Sequence, residues 1–130
     1  MKIRHDPAEA PPAEGRYSHG VEIATPGRML FISSQAPMDS EGNVPDAFEE
    51  QCLRVWTNVK SVLSSAGMTT MDLVKVTTYL SSATYKGENA AIRQRVLGDA
   101  KPALTVILGQ IYDGRWLLEI EAVAFRATGE

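Results

Sequence analysis

The segment Lys101-Pro-Ala-Leu-Thr-Val-Ile-Leu-Gly-Gln-Ile-Tyr-Asp-Gly-Arg-Trp-Leu-Leu-Glu-Ile-Glu-Ala-Val-Ala-Phe125 holds two apolar runs around an Asp113-Gly114 pair. Asp-Gly suits a two-residue hairpin loop, because both loop positions need positive φ. The spacing predicts two antiparallel strands with Tyr112 facing Arg115, Leu108 facing Glu119 and Val106 facing Glu121. Side chains alternate along a strand, so Leu104, Val106, Leu108, Glu119, Glu121 and Val123 are expected on one face. Thr105, Ile107, Ile111, Trp116, Leu118, Ile120, Ala122 and Ala124 form the other, which is almost wholly apolar and suits helices packed against it. The first face carries two carboxylates among aliphatic residues. Either they reach solvent at a sheet edge, or they are desolvated with raised pKa values, a setting that suits proton transfer. The pattern leaves both readings open.

Before this segment the chain alternates strand and helix signals. Residues 1–16 contain Pro7, Pro11 and Pro12 among Ala and Glu and read as a loose or extended arm, with a short edge strand possible at Lys2–His5. Residues 17–24 and 29–36 read as strands, joined through a type II turn at Pro26-Gly27. That register puts Tyr17, His19, Val21, Ile23, Leu30, Ile32 and Ser34 on one face, with a Tyr, a His and a Ser at one end. A strand histidine of this kind is more often a hydrogen-bonded surface residue than a catalytic one. Asp46-Ala-Phe-Glu49 has the form of a capping box. Phe48, Cys52, Val55, Trp56, Val59, Val62, Leu63 and Ala66 then recur at helical spacing, and Gly67 is the stop. Cys52 falls on the apolar stripe, which favours an inert core thiol over a nucleophile. Residues 73–80 are a third strand. A second helix is expected from about Tyr85 to Leu97, with Ile92, Val96 and Leu97 inward, Arg93 and Arg95 outward, and Gly98 ending it.

Composition limits the function classes. The chain has 130 residues, 44% of them hydrophobic, enough for one globular domain spanning 1–130. Its net charge is -3 with a pI near 5.4. Binding to a phosphate backbone draws on clustered Lys and Arg, and no basic run is present, so nucleic acid is not the expected partner. A single cysteine allows no intrachain disulfide and offers no metal motif. No apolar run approaches membrane-spanning length, and the N-terminus lacks the apolar core of a signal peptide. The cytoplasm is the expected compartment.

The element order is therefore β-β-α-β-α-β-β. An α+β fold follows, one mixed β-sheet with two helices on one face. The opposite face would carry Val21, Ile32, Leu104, Val106 and Leu108, too apolar for water, so association is expected there. The Glu pair and the Tyr17 cluster would then lie near a subunit seam, where ligand clefts form.

Several segments together resemble the RidA/YjgF family, also known as endoribonuclease L-PSP or translation initiation inhibitor proteins. They are Tyr17-Ser18, Phe31-Ile-Ser-Ser-Gln-Ala-Pro37, Gln51, Asn58-Val-Lys60, Ala66-Gly67, Val74-Lys-Val-Thr-Thr-Tyr-Leu80, Lys101-Pro-Ala103 and Glu119-Ile-Glu-Ala-Val-Ala124. The resemblance implies a chorismate-mutase-like fold, a homotrimer with three intersubunit clefts, and hydrolysis of reactive imines and enamines without metal or organic cofactor. It places the family's tyrosine on Tyr17, its Ser-Gly-Gln glycine on Ser34 and its catalytic glutamate on Glu119. The family's deaminases carry arginine after Pro-Ala, where this chain has Leu104. Leucine cannot make the charge-assisted contact that holds a substrate carboxylate. Asn89 lies one position from the family's helix asparagine. The expected site is thus Glu119 as catalytic carboxylate, with Tyr17, Ser34, Leu104 and Val106 against the ligand, and no metal or cofactor. The expected function is a small-molecule hydrolase other than the usual 2-imino-acid deaminase. A noncatalytic ligand-binding trimer is the alternative, and a ribonuclease is the weakest reading.

Overall fold

A computed structural model describes residues 1–129 of the chain. Its strands are β1 (Lys2–His5), β2 (Gly20–Ile23), β3 (Gly27–Gln35), β4 (Leu73–Leu80), β5 (Ala103–Leu108) and β6 (Leu118–Ala127). The helices are α1 (Phe48–Ser65) and α2 (Lys86–Leu97). The fold is α+β: a mixed four-stranded sheet in the order β3-β6-β4-β5, with both helices on one face. β1 and β2 pair separately as a two-stranded antiparallel sheet.

The strand pairing differs from the hairpins expected of the sequence. β5 does not pair with β6. It lies parallel to β4, with Leu104 beside Val76 and Val106 beside Thr78. α2 supplies the long crossover a parallel pair needs. β6 instead runs between β3 and β4, antiparallel to both. Burial explains the choice. Leu118, Ile120 and Ala124 are fully buried and Ala122 nearly so, which a central strand under two helices provides and an edge hairpin does not. β2 likewise pairs with β1 rather than β3, so Tyr17, His19 and Val21 do not share a sheet with Ile32. The arm is therefore not loose: β1 holds it, and the His19 ring hydrogen-bonds the Pro11 carbonyl at 2.6 Å.

α1 follows its apolar periodicity. Cys52, Val55, Trp56, Val59 and Leu63 are all at most 1% exposed. It ends as expected, with Gly67 at φ 71 and the Met68 N–H bonded back to the Leu63 carbonyl. Its start differs. The N-cap is Ala47, with no side-chain cap, and the predicted Asp46–Glu49 box does not form. A capping box does form at Thr69–Asp72, where the Thr69 N–H donates to Asp72 Oδ2 at 2.8 Å. In α2, Ile92 and Leu97 are buried. Arg95 is outward as expected, but Arg93 is half-buried, and that burial lowers its pKa.

Candidate functional site

Alternation along β6 puts Ile120 and Ala122 under the helices and Glu119, Glu121 and Val123 on the open face. The rows beside them fill out a polar patch. Tyr79 is in register with Glu119 and Ile107, and Thr77 with Glu121 and Thr105. The Tyr79 hydroxyl donates to Glu121 Oε1 at 2.6 Å. This hydrogen bond to a carboxylate holds the Tyr79 pKa above its ordinary value. Lys75 Nζ donates to Thr105 Oγ1. A cavity of about 190 Å³ opens here, lined by Lys75, Thr77, Glu121, Ala122 and Val123.

The two glutamates are thereby distinguished. Glu121 is engaged by the Tyr79 phenol. Glu119 is half-buried and makes no hydrogen bond or ion pair among the described residues. A carboxylate so placed keeps its acceptor capacity for water or a ligand.

Ser34 lies in a β-bulge. Ile32 is beside Ala122 and Gln35 beside Ile120, so Ser33 and Ser34 together oppose Glu121. Both serines are exposed. Tyr17 is elsewhere. Its neighbour Ser18 bridges to Ala103 at the start of β5, donating its N–H to the Pro102 carbonyl at 3.1 Å. Ala103 is in the row of Lys75 and Val123. Tyr17 is thus about 13 Å along the strands and about 14 Å across them from Glu119, by strand geometry.

Leu104 and Val106 are not on the carboxylate face, contrary to the hairpin register. Beside Val76 and Thr78, they take the helix side; Leu104 packs on the core and Val106 is 41% exposed. Ile32 is also on the helix side, at 4% exposure. The open face carries Met29, Phe31, Val123 and Ile107 around the polar patch, with Phe31 73% exposed. Within one chain, then, Ser34 opposes Glu121, two residues along β6 from Glu119, while Tyr17, Leu104 and Val106 are apart from both glutamates.

Three further residues bear on the site. Gln51, fully buried, donates to the Pro45 and Arg115 carbonyls and accepts from the Leu117 N–H, which fixes the approach to β6. The sequence marked Gln51 only through the family resemblance. Asn89 is 2% exposed and its Oδ1 has no partner among the described residues. Cys52 is fully buried, and desolvation pushes its thiol up to about 12. The native protein is therefore expected to resist a disulfide reagent at pH 8 and to release one thiol per chain on unfolding; rapid native labelling would contradict the buried placement.

A family model described as endoribonuclease L-PSP matches residues 7–126. The chain belongs to this family, the RidA/YjgF family. A RutC family protein of Pyrococcus abyssi is 31% identical over 120 residues, covering 91% of this chain and 92% of the relative. TdcF of Escherichia coli, named as a candidate reactive intermediate deaminase, is 32% identical over 82 residues, covering 62% of this chain and 61% of TdcF. Among solved structures, the Rid family protein YyfB of Yersinia pestis superposes with a TM-score of 0.84 at 28% identity, covering 95% of this chain and 97% of YyfB. Among the described residues no helix is long and apolar enough to cross a membrane.

Proposed function

We propose that the protein hydrolyses a small imine or enamine in a cleft between the subunits of a homotrimer, with Glu119 as the catalytic carboxylate. The observation that carries this reading is the pair of inequivalent glutamates: Glu121 is bound by Tyr79, while Glu119 has no partner among the described residues. An unpaired carboxylate at a seam can orient water for attack on the imine carbon and accept its proton. Water adds to C=N, the C–N bond breaks, and a carbonyl compound and ammonia leave. The name of TdcF, a candidate reactive intermediate deaminase, supports the reaction class.

The separation of Tyr17 from Glu119 supports the trimer. One chain cannot bring them together, but a neighbour's β5 end set against this open face can. Exposed Phe31, Met29 and Ile107 supply apolar surface for that contact. Sedimentation equilibrium at micromolar concentration is expected to give three chains per particle; a stable monomer would sink both the cleft and the mechanism.

Leu104 in place of the arginine argues against a 2-imino acid as substrate. Ammonia release from 2-iminopropionate is expected to be slower than in arginine-bearing relatives by about one to two decades, the worth of one contact to a charged group. Leu104→Arg should recover part of it. Once a substrate is found, Glu119→Gln should abolish turnover and leave the trimer intact, whereas Glu121→Gln should chiefly cost stability. Turnover of Glu119→Gln at the wild-type rate would favour the second reading, a noncatalytic trimer that binds a small neutral ligand. That reading draws on Leu104, which packs on the core and offers no charge. The ribonuclease reading has less support, because the chain is acidic.

A further inference from the structure

The two-stranded sheet leaves a cleft of about 400 Å³ against the start of β4 and the junction of α2 with β5. Val21, Met71, Leu73 and Ala100 contribute its apolar part, and Lys2, Arg4, Lys101 and Asp99 its charge. β1 aims its cations there by alternation. Lys2 and Arg4 share a face with Val21, the cross-strand neighbour of Arg4. On the opposite face of β1, His5 Nε2 is 2.8 Å from Glu22 Oε1. The inward cations have no such partner. Among the described residues, Lys2, Arg4 and Lys101 form no ion pair, with Asp99 or any other carboxylate. Lys2 Nζ donates to the Met71 carbonyl, which fixes the ammonium and leaves it two further donors. The Ser18 hydroxyl holds the Lys101 carbonyl, so this side of the cleft is also fixed.

Three cations and one carboxylate line this partly apolar concavity, and an anion placed among the cations would be attracted by each of them. A cleft of this size, with an apolar floor and a few directed polar groups, is suited to a small ligand. In a chain of net charge -3, this local excess of positive charge runs against the whole. We propose that the cleft binds a small oxyanion-bearing metabolite, a carboxylate or a phosphate, through Arg4, Lys2 and Lys101. The site is distinct from Glu119, which lies towards the other end of β4, in register with Tyr79.

Isothermal titration of the full chain with inorganic phosphate and, separately, with succinate tests this at matched ionic strength. At least one probe is expected to bind saturably, one per chain, and the better probe identifies the oxyanion class. Arg4→Gln and Lys101→Gln should each weaken it about tenfold or more, the usual effect of losing a hydrogen bond to a charged group. Arg4 is exposed and, among the described residues, unpaired, so its variant should fold normally, with circular dichroism as the check. Lys60→Gln, on α1 and outside the cleft, should bind as the parent does. No saturable binding of either probe, or equal binding by the parent, Arg4→Gln and Lys101→Gln, would overturn the proposal and leave the Glu119 reading untouched.

Discussion

Gln51→Leu is expected to lower the free energy of unfolding by about 3 kcal/mol or more, because a buried polar group left without its partner costs about 1–3 kcal/mol. Gln51 is 1% exposed and makes three bonds: to the Pro45 carbonyl at 2.8 Å, to the Arg115 carbonyl at 3.0 Å, and from the Leu117 N–H at 2.8 Å. Leucine fills similar space and replaces none of them. Arg115 is at the surface, so water can reach that side and trim the sum. For a chain of this length the midpoint should fall by roughly 10 °C. Thermal unfolding at fixed chain concentration is the measurement, since association would itself shift the midpoint. A loss below about 1 kcal/mol would mean that solvent replaces the amide, and that the two loops do not depend on it. Leu117 directly precedes β6, so the same variant should also loosen the segment that carries Glu119.

What the sequence could tell was local. The α1 stripe from Phe48 to Leu63 and the Gly67 stop were legible, because helical periodicity and cap chemistry involve residues only a few positions apart. Strand neighbours were not legible. Asp113-Gly114 does turn the chain, with the Trp116 N–H on the Asp113 carbonyl at 3.0 Å and the Arg115 N–H on Asp113 Oδ1 at 2.8 Å. That turn belongs to the loop between β5 and β6, which crosses to a different place in the sheet. Alternation within a run fixes which residues share a face. It does not say which strand lies beside it, and that depends on contacts far apart in sequence.

The candidate site divides the same way. Glu119 and Glu121 were correctly put on one face, since both belong to β6. Leu104 and Val106 were put on that face through an assumed partner. With β4 as the true partner the parity changes by one residue, and every side chain of β5 changes sides. The distinction between the glutamates rested on Tyr79, which no spacing in residues 101–125 could reveal. The bulge at Ser33–Ser34 was equally hidden, because an extra residue in a ladder shows only once the ladder is known.

Gly27→Ala is the second substitution with a large expected cost, about 3 kcal/mol, at the upper end for an overpacked site whose neighbours are held. A Cβ at Gly27 would come 2.4 Å from the Arg126 carbonyl oxygen and 2.5 Å from Phe125 Cζ. The turn reading asked for glycine here because of positive φ. Gly27 does not have it; the glycine serves close approach, where β3 crosses β6 beside Ala127. Neither neighbour can yield freely. The carbonyl is backbone in a paired strand, and Phe125 is 3% exposed. Moving either would also disturb Arg126, whose guanidinium holds buried Asp72 at 3.0 Å. Double substitution separates the two clashes. If the ring carries much of the cost, Gly27→Ala with Phe125→Leu should be less destabilised than the sum of the single variants, by about 1 kcal/mol, within the range for residues in contact. Additive losses would assign the cost to the Arg126 carbonyl, and a Gly27→Ala protein as stable as the parent would mean that β3 and β6 do not approach so closely.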